Sequence, residues 1–249
     1  MPNEPLQGVL ARLDTVIDKA RKTRDRRGFF AALYRRVTRE VADRIRNGRF
    51  DRPEDVARLD IRFASRYFDA VDSLQTGGRT SRSWRVAFDA AGNDRMLIVQ
   101  HLLLGMNAHI NFDLGIATAD VFASGEQLRA AKADFEAVND VFRVMLDDVE
   151  DRIGNLSPNF GMLDELAGGA DEAVAGFSIR HARERAWSNA EALVAFGSLG
   201  RAFLTGMQDG LVASFGQALR SPLITAALEP IRQAESHDIP AIIDALAGD

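Results

Sequence analysis

From Asp94 to Ala119 the chain runs without proline and with few charges, long enough for a helix of roughly 40 Å. Its most apolar part, Met96–Leu104, contains Gln100 and His101 and is followed by Asn107, His109, Asn111 and Asp113. A bilayer-spanning helix needs about 20 consecutive, largely apolar residues, and this stretch is too short and too polar for that. The place left for it is the middle of a helical core. Burying two amides, an imidazole and a carboxylate there costs about 1–3 kcal/mol for each group left unpartnered. Either neighbouring helices satisfy these groups or a pocket brings a ligand to them.

The rest of the chain is patterned to surround such a helix. Leu6, Val9, Leu10, Leu13, Val16 and Ile17 follow amphipathic spacing, and Phe30, Leu33, Val37, Val41 and Ile45 repeat it up to the stop at Asn47-Gly48. Pro53 opens a helix running through Leu59, Phe63 and Tyr67 to about Leu74. Trp84–Phe88 form a short segment, and Ser124-Gly125-Glu126-Gln127 is a capping box for a helix over about 125–150. Gly154–Gly169 reads as a long connection or lid. Helices are expected over about 171–196, 199–218, 222–235 and 239–247. No useful period-2 alternation and no internal repeat appear. The expectation is one all-α domain over 1–249, a helical bundle with the central buried helix at about 94–119.

The chain has no cysteine, which excludes disulfides and thiolate chemistry. Together with the lack of a signal-peptide pattern this places the protein in the cytoplasm as an expectation. The net charge of −5 splits into +7 over residues 1–100 and −12 over the remainder. Either the halves pack with complementary fields, or the arginines of Lys19–Arg27 and Arg35–Arg49 form an anion-binding face. Acids are interspersed among these bases and aromatics do not alternate with them, which argues against nucleic acid as a partner. No serine-nucleophile elbow, Walker loop or dinucleotide fingerprint is present, so no nucleotide cofactor is expected.

Four constellations carry potential chemistry. His109 and Asp113 stand i, i+4 on one helix face, with His101 two such steps back. They suit helix-to-helix hydrogen bonds, an acid–base pair, or ligation of a divalent metal, which needs at least one further ligand. Arg180, Arg183, Glu184 and Trp187 approximate one face of a later helix; the arginines and Trp187 suit an anion or acyl carbonyl, and Glu184 or His181 would complete a site if either faced His109. Asp60, Tyr67 and Asp69 lie in an aromatic-rich helix from which Tyr67 can reach a pocket. Asp147-Asp148-Val149-Glu150-Asp151 satisfies DDxxD, the pattern by which prenyl-diphosphate enzymes hold magnesium, although acidic clusters near helix ends are more commonly solvated faces.

Gly105–Leu114 (GMNAHINFDL), with Leu59–Asp72 before it and Arg183–Asn189 after it, resembles a bacterial family designated domain of unknown function 5995. The resemblance covers about residues 28–215. It implies an all-helical, soluble bacterial protein and names no activity. By it, Asn107, His109, Asn111, Asp113, Arg183, Trp187 and Asn189 match the family's motif positions, and His181 does not. A more distant similarity to the helical zinc-dependent phospholipase C and P1-nuclease fold rests on the His-x-x-x-Asp pair alone, since the N-terminal tryptophan ligand and several histidines of that fold are missing.

These observations make a small-molecule enzyme of the hydrolase or lyase/cyclase type the leading expectation. His109 would be its acid–base group or metal ligand and Asp113 would orient it. Asn107, Asn111, Tyr67 and Asn189 would bind substrate, with Arg183 and Trp187 on the facing wall. A non-catalytic helical binding or scaffold protein is the alternative, and a magnesium-dependent prenyl-diphosphate enzyme the third. A homodimer is compatible with a bundle of this size.

Overall fold

A computed structural model of the chain describes residues 4–142, 179–222 and 228–248, together with Arg152, Gly154, Leu156, Ser157 and Ala226. The described residues form an all-α structure with no strand. The first three helices lie where the apolar spacing puts them: α1 Glu4–Thr23, α2 Arg27–Arg46 and α3 Pro53–Gln75. Pro53 occupies the first turn of α3, followed by Glu54 and Asp55, whose charges suit the positive end of the helix dipole. The short helix α4, Arg82–Ala90, is capped by the Ser81 hydroxyl, which accepts from the Trp84 amide at 3.2 Å.

The central helix differs from its sequence expectation in two ways. It begins at Ile98 rather than Asp94, and it is not α-helical throughout: α5, Ile98–Met106, passes into a π-helical segment over Asn107–Leu114 and then into α6, Gly115–Val121. The start is decided from elsewhere in the chain. Gln100 accepts the Leu97 amide and Glu235 accepts the Ile98 amide, both at 2.9 Å. π-Helical turns are rare and concentrate at functional sites, and this one coincides with Asn107, His109, Asn111 and Asp113. Gln208 donates to the Asn111 main-chain carbonyl at 2.9 Å, satisfying a backbone group of the widened segment.

Downstream, α7 covers Gly125–Ala137 and is followed by a turn at Val138 and helical residues 139–142; the rest of the expected helix, to about 150, lies outside the described residues. Its cap is a variant of the expected box: Ser124 accepts from the Gln127 amide, while the Gln127 side chain accepts from Ala123 rather than Ser124. The expected helices over 171–196 and 199–218 form one element, α8 (Ile179–Leu219), kinked at Gly197, whose φ of 60° and ψ of −160° suit only glycine. Two short helices follow, α9 (Glu229–Ala234) and α10 (Ile239–Ala247); residues 223–225 and 227 of the helix expected over 222–235 lie outside the described residues. Gly154–Gly169 as a unit and the expected start at Asp171 lie outside the described residues.

The central helix is enclosed on two sides. α8 packs along the π-helical segment and α6, while α2 and α3 cover the opposite side, joined by α4. α10 returns to α1 and α2, so Ile242, Ile243 and Leu246 share the core with Leu13 and Ile17. The charge asymmetry is resolved at this contact. Arg21 meets Asp244 at 2.6 Å and Arg24 meets Asp238 at 3.7 Å, basic residues of the first half against acids of the second. No described helix is long and apolar enough to cross a membrane.

Candidate active site

Asp113 is the most deeply buried carboxylate of the central helix, 1% exposed. Arg66 from α3 donates through Nε to Oδ1 at 2.9 Å, and Trp84 from α4 donates through Nε1 to Oδ2 at 2.7 Å. His109 Nδ1 lies 3.3 Å from Oδ2. Arginine and indole groups can only donate, so Asp113 accepts on both oxygens and the facing His109 nitrogen carries a proton. This assigns the neutral imidazole as its Nδ1–H tautomer and leaves Nε2 with a free lone pair.

The imidazole sits in an aromatic cage. Phe63 stacks on it at 3.5 Å between ring centres, Tyr34 meets it edge-on at 4.6 Å, and Phe30, Trp84 and Tyr67 close the remaining sides. Burial lowers the His109 pKa, Asp113 opposes that shift, and Arg66 adds to it. A lowered pKa keeps the ring neutral at pH 7, the form in which it can take up a proton.

Beside the cage lies an apolar cleft with a free volume of about 80 Å³, lined by His109, Tyr34, Asp60, Phe63, Met106 and Arg183 among others. His109 Nε2 and Asp60 Oδ2 are shielded from solvent yet have no hydrogen-bond partner among the described residues. Buried polar atoms are paired in the great majority of native proteins, so orphans collected along one cleft call for a ligand or a functional reason. Burial raises the Tyr34 hydroxyl well above its ordinary value, with Asp60 adding to the shift. Burial also pushes the Asp60 carboxyl up to about 7.

The Asp60 shift has a testable sign. Folded Asp60 keeps a proton that the unfolded chain releases near pH 4, so its contribution is full below that pH and is lost as pH rises through about 7. Asp60→Asn is therefore expected to come within about 0.5 kcal/mol of the wild type at pH 4 and to be the more stable protein at pH 8.5, by on the order of 4 kcal/mol. Urea midpoints at the two pH values check this; a variant weaker than wild type at pH 8.5 would mean that the charged form has a partner.

Arg183, on α8, forms part of the cleft wall while only 4% exposed. Its Nε donates to Asn139 at 2.8 Å, another nitrogen donates to the Phe135 carbonyl, and its guanidinium lies 4.3 Å over the Phe135 ring. No described carboxylate pairs with it. Burial lowers its pKa to about 9, which leaves it positive at pH 7.

The other expected site residues are placed away from the cleft. Asn107 donates to the Val212 carbonyl and accepts from Asn111, both at 2.9 Å, and Asn111 accepts from Arg185 at 3.3 Å. Their amides join the central helix to α8, because they face α8 while His109 faces α2 and α3, and they are not free to bind substrate. Tyr67 is buried with its ring against the His109 cage, but it borders separate depressions near α1 and α4. Trp187 stands behind the wall, tilted on Phe135 at 4.8 Å and donating to Glu191 at 3.0 Å. Asn189 packs against Gly115. His181 and Glu184 are exposed, with Glu184 paired to Arg180, so neither completes a site at His109. His101 packs edge-on against Phe29, and burial depresses its pKa to about 3. Asp69 is exposed.

The His109–Asp113 pair does not fit a metal site. Among the described residues no group of three or more His, Asp or Glu could hold an ion. The Asp113 oxygens also face an arginine and an indole N–H, donors that occupy the lone pairs a cation would need. The DDxxD segment, with Asp147, Asp148 and Asp151, lies outside the described residues.

The profile of a family of unknown function, DUF5995, matches residues 6–222. The chain belongs to this family. The match starts earlier than the motif resemblance, taking in α1. No curated protein and no solved structure matches the chain. In this DUF5995 protein the motif GMNAHINFDL is the turn from α5 into the π-helical segment, and its two sides do different work. Asn107 and Asn111 bind α8, whereas His109 and Asp113 build the cage. Sequence reading missed Tyr34, Arg66 and Trp84. An i, i+4 aromatic pair, Phe30 and Tyr34, within an arginine-rich helix was a local signal for the first. For the other two no local signal exists, since their partner is distant in the chain.

Proposed function

We propose that the cleft is the active site of a small-molecule enzyme of the hydrolase or lyase/cyclase type, with His109 as the acid–base group. The observation that carries this reading is the division of labour on one imidazole: Nδ1 donates to Asp113, and Nε2, with no partner among the described residues, belongs to a ring lining the cleft. Nε2 would accept a proton from a water in a hydrolase or from carbon in a lyase. The imidazolium formed would be stabilised by Asp113 and returned to neutrality by protonating the leaving group. Arg66 and Trp84 fix Asp113, and Asp113 fixes the ring, so the base is positioned before substrate enters. Tyr34 and protonated Asp60 are donors on the same wall.

The test is the protonation state of His109, read by imidazole nitrogen NMR on the folded protein. The expected spectrum at pH 7 is a neutral ring with its proton on Nδ1. A proton on Nε2 would remove the base and with it this mechanism. The binding-protein alternative draws support from Asn107, Asn111 and Gln208, which are engaged in packing. It predicts that His109→Gln leaves every measurable function of the cleft intact, whereas loss of a general base costs about 10²–10⁴-fold in rate.

A further inference from the structure

We propose that the cleft's occupant is a small aliphatic molecule bearing one carboxylate, and that Arg183 holds that carboxylate. The inference rests on reading the cleft as the functional site and adds the chemical class of what enters it. Its basis is the charge on the wall. Asp55 lines the cleft but is paired with Arg52 and Arg58, at 2.6 and 2.8 Å. Asp134 accepts the backbone amides of Asp51 and Arg52, at 2.9 and 2.6 Å. Asp60 holds a proton up to about pH 7, and His109 is neutral. The amides stabilise the Asp134 charge without cancelling it, and Arg52 is the cation that this charge acts on; Arg183 remains as the wall charge with no described carboxylate in ion-pair contact.

An uncompensated buried guanidinium is costly, and an anion arriving in the cleft removes that cost. Arg183 is already oriented by Asn139, the Phe135 carbonyl and the faces of Phe135 and Phe142. Preorganisation of this kind reduces the entropy lost on binding. A single planar fork with part of its donor set engaged suits a carboxylate better than a phosphate dianion, which needs more donors.

The apolar remainder of the wall, including Leu33, Val37, Val56 and Ile110, sets the rest of the ligand. The free volume of about 80 Å³ is roughly half of the ~150 Å³ that accommodates a benzene ring, so the hydrocarbon part is short. Asp60 lies on the same wall with an oxygen that has no partner among the described residues, available to a polar substituent such as a hydroxyl.

The experiment compares butyrate, its neutral isostere butyramide, and inorganic phosphate at constant ionic strength and pH 7, using the full-length protein. Binding is followed by titration of the His109 ring resonances and by thermal shift. Butyrate is expected to bind at least tenfold more tightly than butyramide or phosphate. Arg183→Lys, which keeps the charge but loses the fork, is expected to weaken butyrate without strengthening butyramide. Because Arg183→Gln also removes the bonds to Asn139 and Phe135 and risks the fold, the wild-type comparison decides the question. Equal or tighter binding of butyramide or of phosphate overturns the proposal. Should only a neutral probe such as 1-butanol move the His109 resonances, the carboxylate assignment fails while the cleft remains a binding site. If none of the probes moves them, both readings fail.

Discussion

Asp113→Ala is expected to cost about 3–5 kcal/mol of stability, the range for removing one partner of a buried ion pair. Asp113 is 1% exposed, and its removal leaves the buried Trp84 indole N–H and His109 Nδ1–H without their acceptor and takes the carboxylate from the part-buried Arg66 guanidinium. A void where the carboxylate stood adds to the loss. Asp113→Asn keeps the shape and one acceptor oxygen, so it should lose less stability. Its NH₂ group, however, faces a donor on one side, either Arg66 or the shared position of Trp84 and His109. The second variant should therefore fold while disturbing the orientation of His109. Denaturant unfolding of both proteins, with His109 nitrogen spectra of Asp113→Asn, measures the two effects separately. A loss below about 1 kcal/mol in Asp113→Ala would show that water or a rearranged side chain reaches these donors.

Gly115→Ala is expected to be destabilising by about 1–3 kcal/mol, the range for overpacking a well-filled core. A methyl group there would stand 2.7 Å from the Ala186 main-chain oxygen and 2.8 Å from the Asn189 side-chain nitrogen. Relief of the first contact requires moving the backbone of α8. Alanine favours the helix over glycine by up to about 1 kcal/mol, which works in the opposite direction and is the smaller term. Gly105 differs in what it meets: a methyl there would collide with Phe30 Cγ, in a ring of the His109 cage. Gly105→Ala should consequently alter the His109 environment, and Gly115→Ala should loosen the junction with α8. Urea unfolding with His109 chemical shifts distinguishes them, and a Gly115→Ala protein more stable than wild type would mean that the two helices separate easily.

Periodicity was enough to place α1, α2, α3 and α10, because each has an apolar stripe at helical spacing bounded by a turn or proline signal. It was also enough to mark Asn107, His109, Asn111 and Asp113 as misfits in an apolar helix, since burial of such groups is costly wherever they go. Length was poorly determined where the boundary depends on a remote partner. The start of the central helix moved to Ile98 because Glu235 accepts its first amide, and nothing near Asp94 encodes that bond. The π-helical winding was equally illegible: Asn107–Leu114 has the spacing of an ordinary helix, while α2 and α8 approach closely at the flanking Gly105 and Gly115.

The sequence by itself determined that the chain is helical, that its most polar-interrupted helix belongs inside, and that His109 and Asp113 share a face four residues apart. These follow from local periodicity and from the cost of burying polar groups. Only the tertiary structure decided which of the four misfits serve packing and which serve the cleft. Asn107 and Asn111 meet carbonyl and guanidinium groups of α8, while His109 and Asp113 meet the rings and donors of α2, α3 and α4. A side chain's role is set by what satisfies its hydrogen bonds, and here four of the six such bonds come from helices distant in sequence.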